Sequence, residues 1–193
     1  MADVILAGVG GQGCILSARI AAETALNMGY DVKTSEVHGM AQRGGSVVCM
    51  VRWSEEVRSP LIPCGAADFI LAFELLEGLR YLEYVSREGA AIVNNYQLDP
   101  LPVLRGDEIY PEDALEDIHS IIPRMMVVQA REMAIEAGNV RAAGSVLLGV
   151  FSSFLDFPVD AWEESILRLV PGKAREVNRK AFTLGRQAGR ASS

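Results

Sequence analysis

Gly8-Val9-Gly10-Gly11-Gln12-Gly13 places a GxGxxG pattern between a short apolar run, Val4 to Ala7, and a stretch of helical periodicity that starts at Ile15. Glycines in that setting allow a tight turn and let backbone N–H groups at a helix N-terminus approach an anion. Gly8, Gly10, Gly11, Gln12 and Gly13 are therefore candidate cofactor-binding residues; the alternative is that the glycines only let strand and helix pack closely. A dinucleotide site also requires an acid at the end of the second strand for the ribose hydroxyls, and Glu36 stands 23 residues beyond Gly13, near the expected interval. A second dense segment runs from Ser35 to Ser46. It sets the carboxylate of Glu36, the imidazole of His38, the amide of Gln42 and the guanidinium of Arg43 among Gly39, Gly44 and Gly45. Such a loop can close over a ligand or an interface, with a solvated connector as the alternative. His38 could exchange protons near neutral pH, but no nucleophile or second base stands beside it, so hydrogen bonding is its expected role. No catalytic residue is assigned. Glu74 closes the run Asp68-Phe69-Ile70-Leu71-Ala72-Phe73-Glu74, where open parallel sheets place ligands; capping of the following helix is the equal alternative.

The elements that must position these groups alternate. Val4 to Ala7 reads as a strand buried on both faces, and Ile15, Ala18, Ala22, Ala25 and Leu26 line one side of a helix that Gly29 stops. Asp31 to Ser35 and Val47 to Val51 read as strands, with Glu36 to Gly45 between them as a loop. A second unit has Phe69 to Ala72 as strand, a helix striped by Leu75, Leu76, Leu79, Leu82 and Val85, and a strand from Ala90 to Val93. From Asp99 to Pro123 four prolines and a run of acids predict a surface connection with one short helix near 112–120. Met125 to Val128 reads as the last strand. Helices are then expected over Ala130 to Ala137, Arg141 to Leu155, Val159 to Leu169 and Lys173 to Ala188. The last presents Ala174, Val177, Ala181, Leu184 and Ala188 as a narrow apolar stripe beside many basic residues, and is expected to pack on the chain's own sheet or to dock on a partner. The fold class is α/β: a Rossmann-like, mostly parallel sheet flanked by helices, one domain over 1–193 with a helical C-terminal part over about 129–189.

Composition excludes several classes. With 193 residues, 50% hydrophobic, 22% charged and a net charge of −7, the chain can build a core without staples. A pI near 4.9 speaks against nucleic-acid or anionic-membrane binding, both of which attract positive surfaces. Cys14, Cys49 and Cys64 are too widely spaced for a CxxC chelate, so neither a metal site nor a cluster is expected, and three reduced thiols are the plainest reading. The start Met1-Ala2-Asp3-Val4 carries no basic region, and no apolar run reaches the length of a bilayer span, so a cytoplasmic protein is expected.

Taken together, Gly8 to Gly13, Ser35 to Gly45, Ser59-Pro60, Asp68 to Glu74 with Arg80, Gly138-Asn139 and Leu148-Gly149 resemble the gamma-type subunit or domain of the 2-oxoacid:ferredoxin oxidoreductases, over about Asp3 to Ala188. One departure is Gly144-Ser145, where the family more usually carries an asparagine. The resemblance implies an accessory subunit of an enzyme that oxidatively decarboxylates a 2-oxo acid to an acyl-CoA and reduces ferredoxin. Indolepyruvate is favoured on closeness of motif, and pyruvate, 2-oxoglutarate and branched-chain oxo acids stay open. Thiamine diphosphate, Mg2+, [4Fe-4S] clusters and coenzyme A belong to the implied complex, with none assigned to this chain alone. Asn94-Asn95 here precedes Gly106-Asp107-Glu108, the reverse of the thiamine diphosphate signature. The implied partners are large thiamine- and iron–sulfur-containing subunits, with ferredoxin as electron acceptor; the isolated chain could pair with itself. Gly10, Gln12 and Gly13 are then the phosphate-approach loop, and Glu36, His38, Gln42, Arg43, Gly44, Gly45 and Glu74 lie near coenzyme A or the partner. Two rivals remain: a self-sufficient NAD(P)- or flavin-dependent oxidoreductase, and a binding or regulatory module without an enzymatic partner.

Overall fold

Alternation along the first strand already fixes a two-sided core. Val4 and Leu6 face one side and Ile5 and Ala7 the other, all inaccessible to solvent, as expected of a strand covered on both faces. The computed structural model describes residues 1–38 and 44–191. Its strands are β1 (Ala2–Val9), β2 (Asp31–His38), β3 (Ser46–Ser54), β4 (Ala67–Ala72), β5 (Val85–Asn94) and β6 (Met125–Val128). Its α-helices are α1 (Cys14–Asn27), α2 (Leu75–Arg80), α3 (Leu101–Arg105), α4 (Ala114–Ile121), α5 (Ala130–Ala137), α6 (Ala143–Ser152), α7 (Val159–Leu169) and α8 (Arg175–Ala191). Among the described residues no helix is long and apolar enough to cross a membrane.

The sheet runs β2-β3-β1-β4-β5-β6. β1, β4, β5 and β6 are mutually parallel, and β3 is antiparallel to both β1 and β2. The expected mostly parallel α/β sheet is thus present, with β3 inserted between β1 and β2. α1, α5, α6, α7 and α8 cover one face together with Leu6, Cys49, Val51, Trp53 and Ile92. α2 and α4 cover the other over Ile5, Ile70, Ala91 and Val93.

Several boundaries differ from the sequence reading. β2 continues to His38, opposite Val47, so Glu36 and His38 are strand residues, because the β3 ladder pairs them one by one. The helix striped through Val85 ends at Arg80; Leu82–Tyr84 is a 3-10 turn and β5 begins at Val85. Leu82 and Val85 are buried under the sheet, so their apolar spacing served a turn and a strand. The 99–123 connection holds α3 as well as α4, Pro102 being tolerated in a first helical turn.

α8 does not lie on the sheet. It packs on α6, whose residues from Gly144 to Ser152 are all buried. The buried seam of α8 is Ala181, Phe182, Gly185 and Gly189, rotated from the expected stripe, of which only Ala181 is buried. The reason is backbone proximity: a Cβ on Gly149 would overlap the carbonyl oxygen of Phe182, and one on Gly185 that of Val146. Arg186 closes the pair, its Nη1 donating to the Ser152 carbonyl and hydroxyl at 2.7 Å each.

Candidate functional site

The C-terminal ends of the parallel strands share one edge of the sheet with the start of β3. α1 leaves β1 over one face and α2 leaves β4 over the other, so the crevice between these two strands is a topological switch point, the usual ligand position in open α/β sheets.

The glycine turn lines that crevice. Gly11 and Gly13 adopt φ of +105° and +88°, a region that side chains with a Cβ avoid. Gly13 is the N-cap of α1 and offers no side-chain cap. The turn is held from two sides. Gln12 folds back, its Oε1 accepting from Val9 N at 2.7 Å and its amide pointing to the Phe73 carbonyl at 3.5 Å. Gly10 N donates to the Gly45 carbonyl at 2.8 Å and Gly44 N to the Gly10 carbonyl at 3.3 Å, which prolongs the β1–β3 ladder beyond Val9 and Ser46. The N–H groups left to meet an anion are those of Gly11, Gly13 and the first turn of α1. Gly8 sits at the base, where a Cβ would come 2.8 Å from Cβ of Phe73. Gly8, Gly10, Gln12, Gly44 and Gly45 thus build the turn, and Gly11 and Gly13 present it.

Glu36 is elsewhere. β3 separates its strand from β1, and its carboxylate pairs with Arg19 of α1 at 3.5 Å. In a dinucleotide fold the second strand adjoins the first, which brings the ribose-binding acid to the glycine turn; the antiparallel insertion removes that adjacency here. His38 ends β2 at the same sheet edge as the turn. Gln42 and Arg43 lie outside the described residues.

Glu74 faces inward and takes the capping role, the alternative to a place near a ligand or partner. It is 1% exposed. Its Oε2 accepts from Glu77 N at 2.9 Å, capping α2, and its Oε1 accepts from Tyr110 Oη at 2.5 Å and Leu98 N at 3.1 Å. Burial, then the bond to Glu74, pushes the Tyr110 phenol far above its ordinary range. Glu77 is nearly as enclosed, at 3%. It accepts from Ser46 Oγ at 2.5 Å and from Arg80 Nη1 at 2.6 Å, and burial raises its carboxyl above the usual range. Asn94, also buried, donates to the Phe73 carbonyl at 3.0 Å and accepts from Ala130 N at 3.1 Å, tying β4 to α5. Tyr110 was not singled out from the sequence, and Ser46, Glu77 and Asn94 were given no such buried bonding role there; an acid inside an apolar helix stripe, as at Glu77, is the one local signal that could have pointed to it.

The cysteines sort by depth. Cys14 and Cys49 are buried with sulfurs 3.9 Å apart, while Cys64 is exposed. The bond to Cys49 and burial hold the Cys14 thiol well above its ordinary range, so it is poorly nucleophilic. Iodoacetamide on the native chain at pH 8 should label Cys64 alone, and all three once urea is added; intact mass counts the adducts. Among the described residues no three His, Cys, Asp or Glu side chains converge on a metal position.

At the Gly144-Ser145 pair the serine has a partner within the chain: its hydroxyl donates to Asn178 Oδ1 of α8 at 2.7 Å. Gly144 beside it lets Phe73 and Ser17 close in, a Cβ there coming 3.2 Å from the Phe73 ring.

Comparison with known proteins gives the family and the fold. The family model for pyruvate ferredoxin/flavodoxin oxidoreductase matches residues 3–188. The chain is 40% identical over 195 residues to an indolepyruvate oxidoreductase subunit IorB of Pyrococcus horikoshii, covering 97% of this chain and 96% of that one. It is 37% identical to the protein of the same name from Archaeoglobus fulgidus, covering 95% and 92%. In fold it is similar to the gamma subunit of a keto/oxoacid ferredoxin oxidoreductase from Geobacter sulfurreducens, with TM-score 0.74, 24% identity and 99% of both chains covered. It also superposes with TM-score 0.74 and 19% identity on 32% of a longer chain, the 2-oxoglutarate:ferredoxin oxidoreductase of Magnetococcus marinus, using 99% of its own length. The matched span takes in the glycine turn, both buried glutamates and the α6–α8 pair, and the chain belongs to the pyruvate ferredoxin/flavodoxin oxidoreductase family.

Proposed function

We propose that this chain is the accessory, gamma-type subunit of a thiamine diphosphate-dependent 2-oxoacid:ferredoxin oxidoreductase, with indolepyruvate as the 2-oxo acid. The observation that carries the substrate class is the end-to-end match to indolepyruvate oxidoreductase subunits, at 40% identity with 96% of the relative covered. In the complete enzyme, thiamine diphosphate with Mg2+ supplies the electron sink for decarboxylation and [4Fe-4S] clusters carry single electrons to ferredoxin. The residues here do not fit a cluster: the Cys14–Cys49 pair is interior and Cys64 stands apart on the surface. Large companion subunits are the proposed holders of both groups. Coenzyme A does fit, since the N–H groups of Gly11 and Gly13 and the uncapped start of α1 can receive a phosphate. The loop with His38, Gln42 and Arg43 is proposed to meet coenzyme A or the companion beside that turn.

The rival reading as a stand-alone NAD(P) or flavin enzyme keeps the glycine turn but is weakened at its acid, since Glu36 pairs with Arg19 on a strand that β3 separates from β1. The experiment is co-expression with the presumed large subunit. The expected result is a co-purifying complex that reduces ferredoxin with indolepyruvate and coenzyme A, and an Arg43→Ala chain that loses complex or turnover by about tenfold or more, a typical effect of removing a charged contact. Unchanged assembly and turnover in Arg43→Ala would remove that loop from the site. Micromolar NADH binding with redox activity by the chain alone would restore the rival, and a stable chain that pairs with no such subunit would favour a regulatory module.

A further inference from the structure

Glu77 is a buried acid for which the proposed function has no use. Enclosing a carboxylate costs stability unless its partners recover the lost hydration, and burial holds the Glu77 carboxyl above its usual range against the lowering effect of Ser46 and Arg80. Capping of α2 does not explain it, because Glu74 is the cap. What Glu77 does hold is Ser46, by Oε2 at 2.5 Å, with Arg80 on the other oxygen at 2.6 Å and Tyr81 Oη 3.4 Å from the same serine hydroxyl. Ser46 is the first residue of β3 and pairs with Val9. The next contacts outward are the two backbone bonds that join Gly44 and Gly45 to Gly10.

We infer that Glu77 is a positioning residue for the glycine turn: through Ser46 it fixes the register in which Gly44 and Gly45 clasp Gly10, and so the direction in which Gly11 and Gly13 offer their N–H groups to an anionic ligand. The clasp is the open end of a ladder, where strands fray first. A buried side-chain bond one residue inside that end opposes fraying without occupying the N–H groups of the turn. The groups facing Glu77 are Arg80 and Tyr81 beyond it on the chain, Ser46 from β3, and the Glu74 carboxylate at the helix start, whose charge adds to the cost of ionising Glu77. The bonds from Ser46 and Arg80 both lower the Glu77 pKa against the larger, opposite effect of burial, so each is strongest to the carboxylate.

The ligand in this inference, coenzyme A, rests on the proposed function, so the test has one readout that does not. Amide-exchange protection of Gly10 and Gly44 is measured by NMR on the full chain, and the KM for coenzyme A on the enzyme assembled with its companion. In Ser46→Ala and Glu77→Gln, protection at these two amides should fall by roughly tenfold or more while Ile92 and Val93 keep theirs, and KM should rise about fivefold or more, beyond any change in kcat. Ser46→Thr, which keeps the hydroxyl, should restore both. Unchanged protection in Ser46→Ala and Glu77→Gln would overturn the inference, as would lost protection with KM unmoved. If Gly13→Val also leaves KM unmoved, the fault lies in the coenzyme A reading and not in the clasp. Should Glu77→Gln fail to fold, Ser46→Ala, which removes only a half-buried hydroxyl, decides alone.

Discussion

Gly185→Ala should cost about 3 kcal/mol and lower the melting temperature by roughly 6–12 °C, a large effect for one methyl group. The added Cβ would overlap the backbone oxygen of Val146, and nothing flexible stands in the way that could move aside. α6 lies between the sheet and α8 and is buried along its length, so relief requires shifting a helix and not a rotamer. The gain in helix propensity from alanine, about 1 kcal/mol, is too small to offset this. Gly149→Ala, which meets Phe182 and Arg186 from the other side, should behave alike. Gly172→Ala, where a Cβ has open space and φ is not left-handed, should instead stabilise by about 0.4–1 kcal/mol through the unfolded chain. Thermal and urea unfolding of the three variants gives the comparison. Equal melting temperatures for Gly185→Ala and Gly172→Ala would mean that the two helices do not meet through their backbones.

The same seam shows where sequence reasoning stops. α5 and α7 were legible to the residue, since each is an amphipathic period with a clear end: Gly138 at the left-handed C-cap of one and Pro158 ahead of the other. α8 was legible as a helix, but its packing face was not. Hydropathy assigns the inward side to Val177 and Leu184, whereas contact with α6 is made by Gly185 and Gly189, residues whose value lies in having no side chain. The sheet followed the same rule. Each strand gave its own apolar pattern, but the place of β3 between β1 and β2 is a pairing between residues dozens of positions apart, and no local pattern encodes it.

At the site, the glycine turn could be read directly because a left-handed residue before a helix leaves few choices besides glycine. Glu36 could be found but not placed: the interval from Gly13 suits a dinucleotide fold, and only the strand order shows that its strand is not the neighbour of β1. Ser46 and Glu77 lie 31 residues apart in sequence and 2.5 Å apart in space. Neither residue is unusual alone, which is why the clasp is visible only in three dimensions.

Glu74→Ala should be nearly as damaging as the helix clash, by a different cause. Three donors converge on this carboxylate: Tyr110 Oη, Leu98 N and Glu77 N. Truncation removes the cap of α2, about 1 kcal/mol. It also leaves the largely buried Tyr110 hydroxyl without its acceptor, about 1–3 kcal/mol, for a total near 3 kcal/mol. Leu98, more than a third exposed, can recruit water and adds little. The alkaline limb provides a second readout. Tyr110 holds its proton well above the ordinary tyrosine value of 10.0 in the folded chain, so as pH rises through that value the unfolded chain releases a proton that the folded chain keeps, and stability falls with pH. Without the Glu74 bond and charge the folded phenol should titrate closer to its ordinary range, flattening that slope even as overall stability drops. Ultraviolet titration at alkaline pH follows the phenol, and urea unfolding at pH 7 and above 10 follows the slope. Tyr110→Phe should lose the same slope while keeping the α2 cap, so a double-mutant cycle with Glu74→Ala isolates the pair. Strict additivity of the two changes would show that the phenol and the carboxylate do not meet, and with that the connection from Leu98 to Tyr110 would lose its anchor on the sheet.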